Sequence, residues 1–565
     1  MTFHDKDHVR GKNGGNMAED KLMMGRRGFV KGSIAASALA MLAGCGKKGG
    51  SSSSAGASGA KGGTIKVYIN EPVAIDPYNT QESEGSQVEH NLFDPLTTFD
   101  WKTHKIVPKA ASSWDISDDG LTYTFHLVQG ATFHNGDKVD SKSFKRGWER
   151  IASPKMKTPS QISFHLSPVL GYEEFHKGQA DELKGLECPD DDTFVVKLNE
   201  PMYDFLYVAA NIALVPVPQA AVDNADDFLL APIGNGPFMM DGKWESGQKI
   251  NLKRYDNYYG EKKATLDAIN FVIQKDPATA YREFEAGNID FCSVPSGRLK
   301  ENQDKYGISA DGYTVTPGKQ VLTGAELGIY YLLLNLQDPV IKNVNLRRAV
   351  CMAINRKNIV DTLFEGSRQP ATSFIPSALD NDPFSAWKYC KYDKDAAKKL
   401  IDDNGLAGTE ITLTYNSGGS HEDIMSAVQA DLQAIGLVVK QNTLEWAAYL
   451  SACQSGSFQI GRMGWVADYP TLDNFIYPCF FSTAENNMGK YNNPDVDKAI
   501  ADARKIKDEE ERKSAYRNIN AQLAEDCPVI PIMFYSHNHV GSAKINQYFH
   551  NPQNIGDFAV AEMKA

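Results

Sequence analysis

From Arg26 to Cys45 the chain runs two arginines, an alanine-rich apolar stretch, small residues and a cysteine, an order that takes everything ahead of Thr64 out of any globular fold. Arg26-Arg27-Gly28-Phe29-Val30-Lys31 has the form of a twin-arginine export motif. Leu42-Ala43-Gly44-Cys45 has that of a lipobox, whose cysteine is diacylated and becomes the first residue after cleavage. The apolar run from Ile34 to Leu42 falls well short of the roughly 20 residues a helix needs to cross a bilayer. Residues 1–45 are therefore expected to be a signal peptide, and a lipid on Cys45 to hold the exported chain on the outer face of the cytoplasmic membrane, at the cell surface or in the periplasm. Gly25 stands where a twin-arginine motif more often has Ser or Thr, which leaves general export open, and Met17, Met23 and Met24 are each candidate starts.

Residues 46–63 hold nothing apolar larger than alanine, the composition of a flexible tether. The rest is ordinary folded material: 42% of the 565 residues are hydrophobic and 23% charged, enough for two or three separate cores. The net charge of -12 is spread along the chain without a basic stripe, which argues against a nucleic-acid partner. Cys45 aside, Cys188, Cys292, Cys351, Cys390, Cys453, Cys479 and Cys527 show no C-x-x-C spacing and read as buried, inert residues; seven being odd, at least one thiol is unpaired.

No enzyme motif emerges. H-E-x-x-H, a G-x-S-x-G elbow, S-x-x-K with its partners and phosphate-cradling loops are all missing. His421-Glu422 lacks the second histidine of a zinc site, and His537 and His539, spaced as alternate residues of a strand, read as surface or rim histidines. Asp118-Asp119 and Asp190-Asp191-Asp192 sit beside Gly120 or Pro189 and read as solvated turns. No catalytic residue, metal or cofactor is expected.

Periodicity predicts a mixed α/β chain. Thr64 to Ile69 alternates as a strand, and prolines at 72 and 77 then break it. Leu121, Tyr123, Phe125 and Leu127 alternate with polar residues ahead of Gly130 and an Asn135-Gly136 turn, and a helix is predicted from Ser143 to Arg150. Val496, Ile500 and Ala503 form an apolar stripe after Asn493-Pro494, and Tyr516, Ile519 and Leu523 form a second. Val529 to Tyr535 and Tyr330 to Leu336 are predicted as apolar strands.

Along the chain come Glu71-Pro72-Val73-Ala74-Ile75-Asp76-Pro77, Asn91 to Leu96, Ser113-Trp114 with Ser117 to Leu127, and Phe133-His134-Asn135-Gly136. Gly234-Asn235-Gly236-Pro237-Phe238, Ala286 to Asp290 and Asn345 to Arg356 follow. Each is weak alone. In this order, over nearly the whole mature chain, they resemble the oligopeptide- and dipeptide-binding family of ABC-importer solute-binding proteins, family 5. The resemblance implies an α/β, two-lobe periplasmic-binding-protein-like fold with an extra domain, its lobes joined by a double crossover hinge and closing on ligand. Carried onto this chain, lobe I is 64–93, 215–326 and 536–565, the extra domain is 94–214, and lobe II is 327–535.

The segment Arg462-Met463-Gly464-Trp465-Val466-Ala467-Asp468-Tyr469 is similar to the Arg-x-Gly-Trp-x-Ala-Asp-Tyr of peptide-binding members, whose Asp holds the peptide's amino terminus. This implies that Asp468 is the counter-charge of a buried ammonium, with Trp465 a flat apolar wall and Arg462 either pairing with a peptide carboxylate or bracing the site. Gln81, Glu82 and Ser83 are expected to form an extended segment whose backbone pairs with the peptide, so that affinity comes from the main chain and specificity is broad. Ser293, Val294, Tyr330 and Tyr331 are further candidates, the tyrosines reading equally as core and hinge. The implied partners are short peptides and an ABC permease and ATPase complex, the protein acting as a monomer. Nickel, heme or oligosaccharide as cargo, a peptide-signal receptor and a secreted enzyme on the same scaffold stay open.

Overall fold

Ile65, Val67 and Ile69 of the strand Thr64–Ile69 are buried while Thr64 and Lys66 face out, the alternation a sheet strand requires. The computed structural model describes residues 62–80 and 82–564; Cys45 and Gln81 lie outside the described residues. Thr64–Ile69 takes a middle place in a seven-stranded sheet, between Ala268–Ile273 and Phe291–Ser293 and parallel to both. His539–Gly541 and Val321–Leu322 extend the sheet on one side, Lys249–Arg254 and Phe238–Met240 on the other.

A second sheet has six strands in the order Gln369–Pro370, Val529–Ser536, Ala325–Leu334, Ile460–Val466, Glu410–Asn416, Val438–Leu444. Ala325–Leu334 starts five residues ahead of the predicted Tyr330. Glu326 and Gly328 interrupt the apolar pattern there, but neighbours on both sides satisfy the backbone all the same. The strand stops at Asn335, whose side-chain amide donates to Gly456 O and Phe458 O, both at 2.9 Å. Pro531 is accommodated inside Val529–Ser536 by a register shift opposite Tyr330 and Tyr331.

A third, antiparallel sheet runs Ala111–Ile116, Thr122–Leu127, Thr193–Lys197, Leu186–Asp190. Tyr123, Phe125 and Leu127 are among its buried residues, in one core with Trp148 and Phe144 of the helix Ser141–Ala152. That helix begins two residues ahead of the predicted Ser143 because Asp140 caps it, its carboxylate accepting from Ser143 N at 2.8 Å. The two predicted stripes lie on the helices Pro494–Arg504 and Glu509–Asp526.

Each sheet has its own apolar core. The third core also takes in Tyr469, from beyond the second sheet. Nearby, Asp204 and Arg512 form a buried ion pair at 2.9 Å, fastening the third sheet's region to the helices of the second. The chain passes between the seven- and six-stranded sheets twice, from Leu322 to Ala325 and from Ser536 to His539. The two passes lie side by side, Leu322 opposite His539 and Ala325 opposite Ser536.

His537 and His539 are not rim residues. Pairing beside these passes buries His537 and half-buries His539, and with His550 they form a cluster of three rings with centroids 4.6 to 5.6 Å apart. Burial pushes His537 down to about 3 and His539 to about 4, so all three stay neutral. The seven described cysteines are unpaired and six are buried; the Cys351 and Cys390 sulfurs stand 3.8 Å apart.

Candidate functional site

Gly234 and Gly236 bring the first wall of the site together. A Cβ on Gly234 would stand 1.8 Å from Leu92 O and one on Gly236 2.7 Å from Leu92 C, so only glycine lets this loop lie against the end of the helix Ser83–Leu92. Asn235 between them then receives Asp94 N–H at 2.9 Å and donates to Asp94 O at 3.1 Å. With this helix fixed against the seven-stranded sheet, a cavity of about 720 Å³ opens between it, the strand Ile460–Val466, residues 161–165 and 210–213 of the third region, and residues 551–559 near the C-terminus. Its size suits a small ligand.

The strand Ile460–Val466 hands the chain to Asp468 at the cavity. Ala467 N still bonds Leu327 O at 2.8 Å, and Gln553 Nε2 donates to the carbonyls of Ala467 and Asp468 at 2.7 and 2.8 Å, which holds the turn from the opposite side. Asn474, fully buried, grips Asp468 twice: its Oδ1 receives the Asp468 backbone N–H and its Nδ2 donates to Asp468 Oδ2, both at 2.9 Å. That leaves Oδ1, with the Asp468 side chain 29% exposed; the nearest cation-forming group is His165 Nε2 at 3.9 Å. Burial lowers the His165 pKa, and Asn211 Nδ2 donates to the same nitrogen at 3.3 Å, so the ring is a neutral acceptor there. Among the described residues no lysine or arginine pairs with Asp468. Asp468 is thus a positioned carboxylate with one oxygen left for a cation that the described residues do not supply.

Arg462 and Trp465 lie on the same strand and line the same cavity. The Arg462 guanidinium donates through Nε to Asn416 Oδ1 at 2.7 Å and lies over the rings of Trp446 and Tyr449, at 5.2 and 5.9 Å. Trp465 keeps a buried indole N–H without a partner. Across the cavity Glu82 and Ser83 also contribute to the wall, but the expected extended segment stops at Glu82. Ser83 opens the helix, and the Glu82 carboxylate caps it, accepting from Gly85 N at 3.1 Å and from Val73 N at 3.0 Å. This side therefore presents a helix's first turn, and its free N–H groups are partly met from within.

Ser293, Val294, Tyr330 and Tyr331 are not brought to the cavity. Ser293 closes its strand beside His539, with Oγ 3.3 Å from Nδ1, and Val294 is buried behind it. Tyr330 and Tyr331 are 1% and 3% exposed within the second sheet's core. Sequence reading missed Asn474, His165 and Gln553. Only Asn474, six residues past Asp468, carried a local signal.

The model of bacterial extracellular solute-binding proteins, family 5 Middle, matches residues 105–487. The periplasmic oligopeptide-binding protein OppA of Haemophilus influenzae is 27% identical over 492 residues, covering 83% of this chain and 88% of that protein. The dipeptide-binding protein DppE of Bacillus subtilis is 27% identical over 515 residues, covering 88% and 91%. Among solved structures, Haemophilus influenzae OppA in complex with RPPGFSPFR superposes with a TM-score of 0.74 at 26% identity, over 89% of this chain and 100% of that one.

Proposed function

Because the chain belongs to the bacterial extracellular solute-binding proteins of family 5, we propose that it captures short peptides in this cavity and delivers them to an ABC importer. The observation that carries the reading is Asp468, a carboxylate fixed through Asn474 whose second oxygen meets no lysine or arginine among the described residues. A peptide's amino terminus is a compact cation that ends a chain, and a carboxylate beside a closing cavity is what replaces the water it loses. Trp465 offers an apolar face with an open N–H, and Arg462 a guanidinium free of any carboxylate among the described residues, suited to a peptide carbonyl or carboxylate. Glu82 and Ser83 complete the facing wall.

In this reading the protein is a carrier that acts as a monomer, held at the membrane's outer face by a lipid on Cys45. Native mass spectrometry of protein purified without refolding is expected to show a ladder of co-purified short peptides. An empty protein, or one carrying sugar, heme or metal, refutes the reading. Cys45→Ser is expected to release the protein from the membrane fraction, and retention there refutes the anchor alone.

A further inference from the structure

Asp468 and Arg462 do not exhaust the charge in the cavity wall. Asp94 is satisfied from within, by Lys109 Nζ at 3.0 Å and by the hydroxyls of Tyr258 and Tyr259 at 2.8 and 2.9 Å. Glu89 is not. It stands on the helix Ser83–Leu92, is 0% exposed and belongs to the wall of the same cavity. Its Oε1 accepts from Thr80 Oγ1, while Oε2, equally buried, has no partner. A buried carboxyl oxygen left unmet is a cost the fold carries without return unless something outside the chain uses it.

We propose that Glu89 is a second cation subsite, receiving a lysine or arginine side chain of the cargo, so that the cavity favours basic short peptides over neutral ones; this rests on the peptide reading above. The surrounding charges fit. Asp76, nearby, is taken up bidentately by Arg150, at 3.1 and 2.8 Å, so that arginine is not available to Glu89. Burial, with Asp76 and Glu82 pushing the same way against the Thr80 hydrogen bond, holds the Glu89 carboxyl well above the ordinary carboxylate range. Asp557 and Glu84 line the cavity as well, against Lys109, already engaged with Asp94, and His90, held neutral at about 4 by burial. Before cargo arrives, the protonated form of Glu89 is thereby favoured. An arriving ammonium or guanidinium takes Oε2 as its acceptor, and the carboxyl proton leaves to solvent.

Isothermal titration calorimetry on the full chain freed of cargo tests this with Ala-Ala-Ala, Ala-Lys-Ala and Ala-Ala-Lys. The expected result is at least tenfold tighter binding of a lysine-bearing peptide than of Ala-Ala-Ala, with Glu89→Gln bringing that ratio close to one. A second measurement needs no variant: titrations at pH 7 in buffers of different ionisation enthalpy should show about one more proton released with the lysine peptide than with Ala-Ala-Ala. Equal affinities, a ratio that survives Glu89→Gln, or equal proton release overturns the subsite and leaves the peptide reading standing. Failure of all three peptides to bind overturns both.

Discussion

Asp468→Asn is the sharpest perturbation of the site because it removes a charge and little else. The Asp468 backbone N–H still meets Asn474 Oδ1, and the new amide oxygen can receive Asn474 Nδ2 as Oδ2 does now, so the turn keeps its shape. If Asp468 holds a peptide's amino terminus as proposed, what is lost is the attraction between a carboxylate and an ammonium at contact distance. Two unit charges 4 Å apart attract by about 1 kcal/mol in bulk water and about 4 kcal/mol near a protein surface. With 29% of the Asp468 side chain still open to solvent, the site lies between these limits. A loss of about 2–3 kcal/mol follows, a roughly 30- to 150-fold weaker Kd. Calorimetric titration of both proteins with Ala-Ala-Ala and with its N-acetylated form closes a double-mutant cycle. The acetylated peptide should bind the unaltered protein weakly, and Asp468→Asn should make little further difference to it. If the acetylated and free peptides bind the unaltered protein alike, the amino terminus is not what Asp468 holds.

Two further outcomes follow from neighbouring groups. Asn474→Ala removes both bonds that orient Asp468 and should cost affinity for Ala-Ala-Ala about tenfold, one to two ordinary hydrogen bonds' worth, while Asn474→Asp restores only part of it; undiminished affinity would show that Asp468 needs no such support. Burial holds Glu326, at the start of the long central strand, up at about 7, with Arg368 offsetting only part of the rise. An acid whose folded value exceeds its unfolded value of about 4.3 keeps its proton in the folded state across that window, so its contribution to stability declines as pH rises toward 7 and is level above it. Glu326→Gln should therefore gain about 3–4 kcal/mol on the unaltered protein between pH 4.5 and 7.5 in urea unfolding, and a pH-independent difference would refute this.

The local alternation of Thr64–Ile69 and Thr122–Leu127 was legible because each strand buries one face, and a period of two is then written into the residues themselves. Ala325–Leu334 was harder, since pairing on both edges and burial on both faces free it from any period. The sequence likewise pointed to Asp468, through a segment whose residues all lie on one strand and turn. What it did not carry is the setting of that carboxylate. His165 and Gln553 reach it from roughly three hundred residues before and eighty-five after, through contacts that leave no spacing to read. Ser83 was misread for a different reason. Glu82 and Ser83 fit an extended segment as well as a helix start, and it is the Glu82 carboxylate folding back on Gly85 N that decides between them.

The paired passes at 322–325 and 536–539 have a mechanical consequence. Two adjacent segments bonded edge to edge form a thin ribbon, which bends more easily across its face than in its own plane. The His537 backbone N–H, bonded to Gly324 O at 3.1 Å, ties the ribbon at its midpoint, where a Cβ on Gly324 would strike the Tyr313 ring. A swing of one sheet relative to the other about these passes would thereby follow a single compliant coordinate, its extent free to vary and its arc fixed.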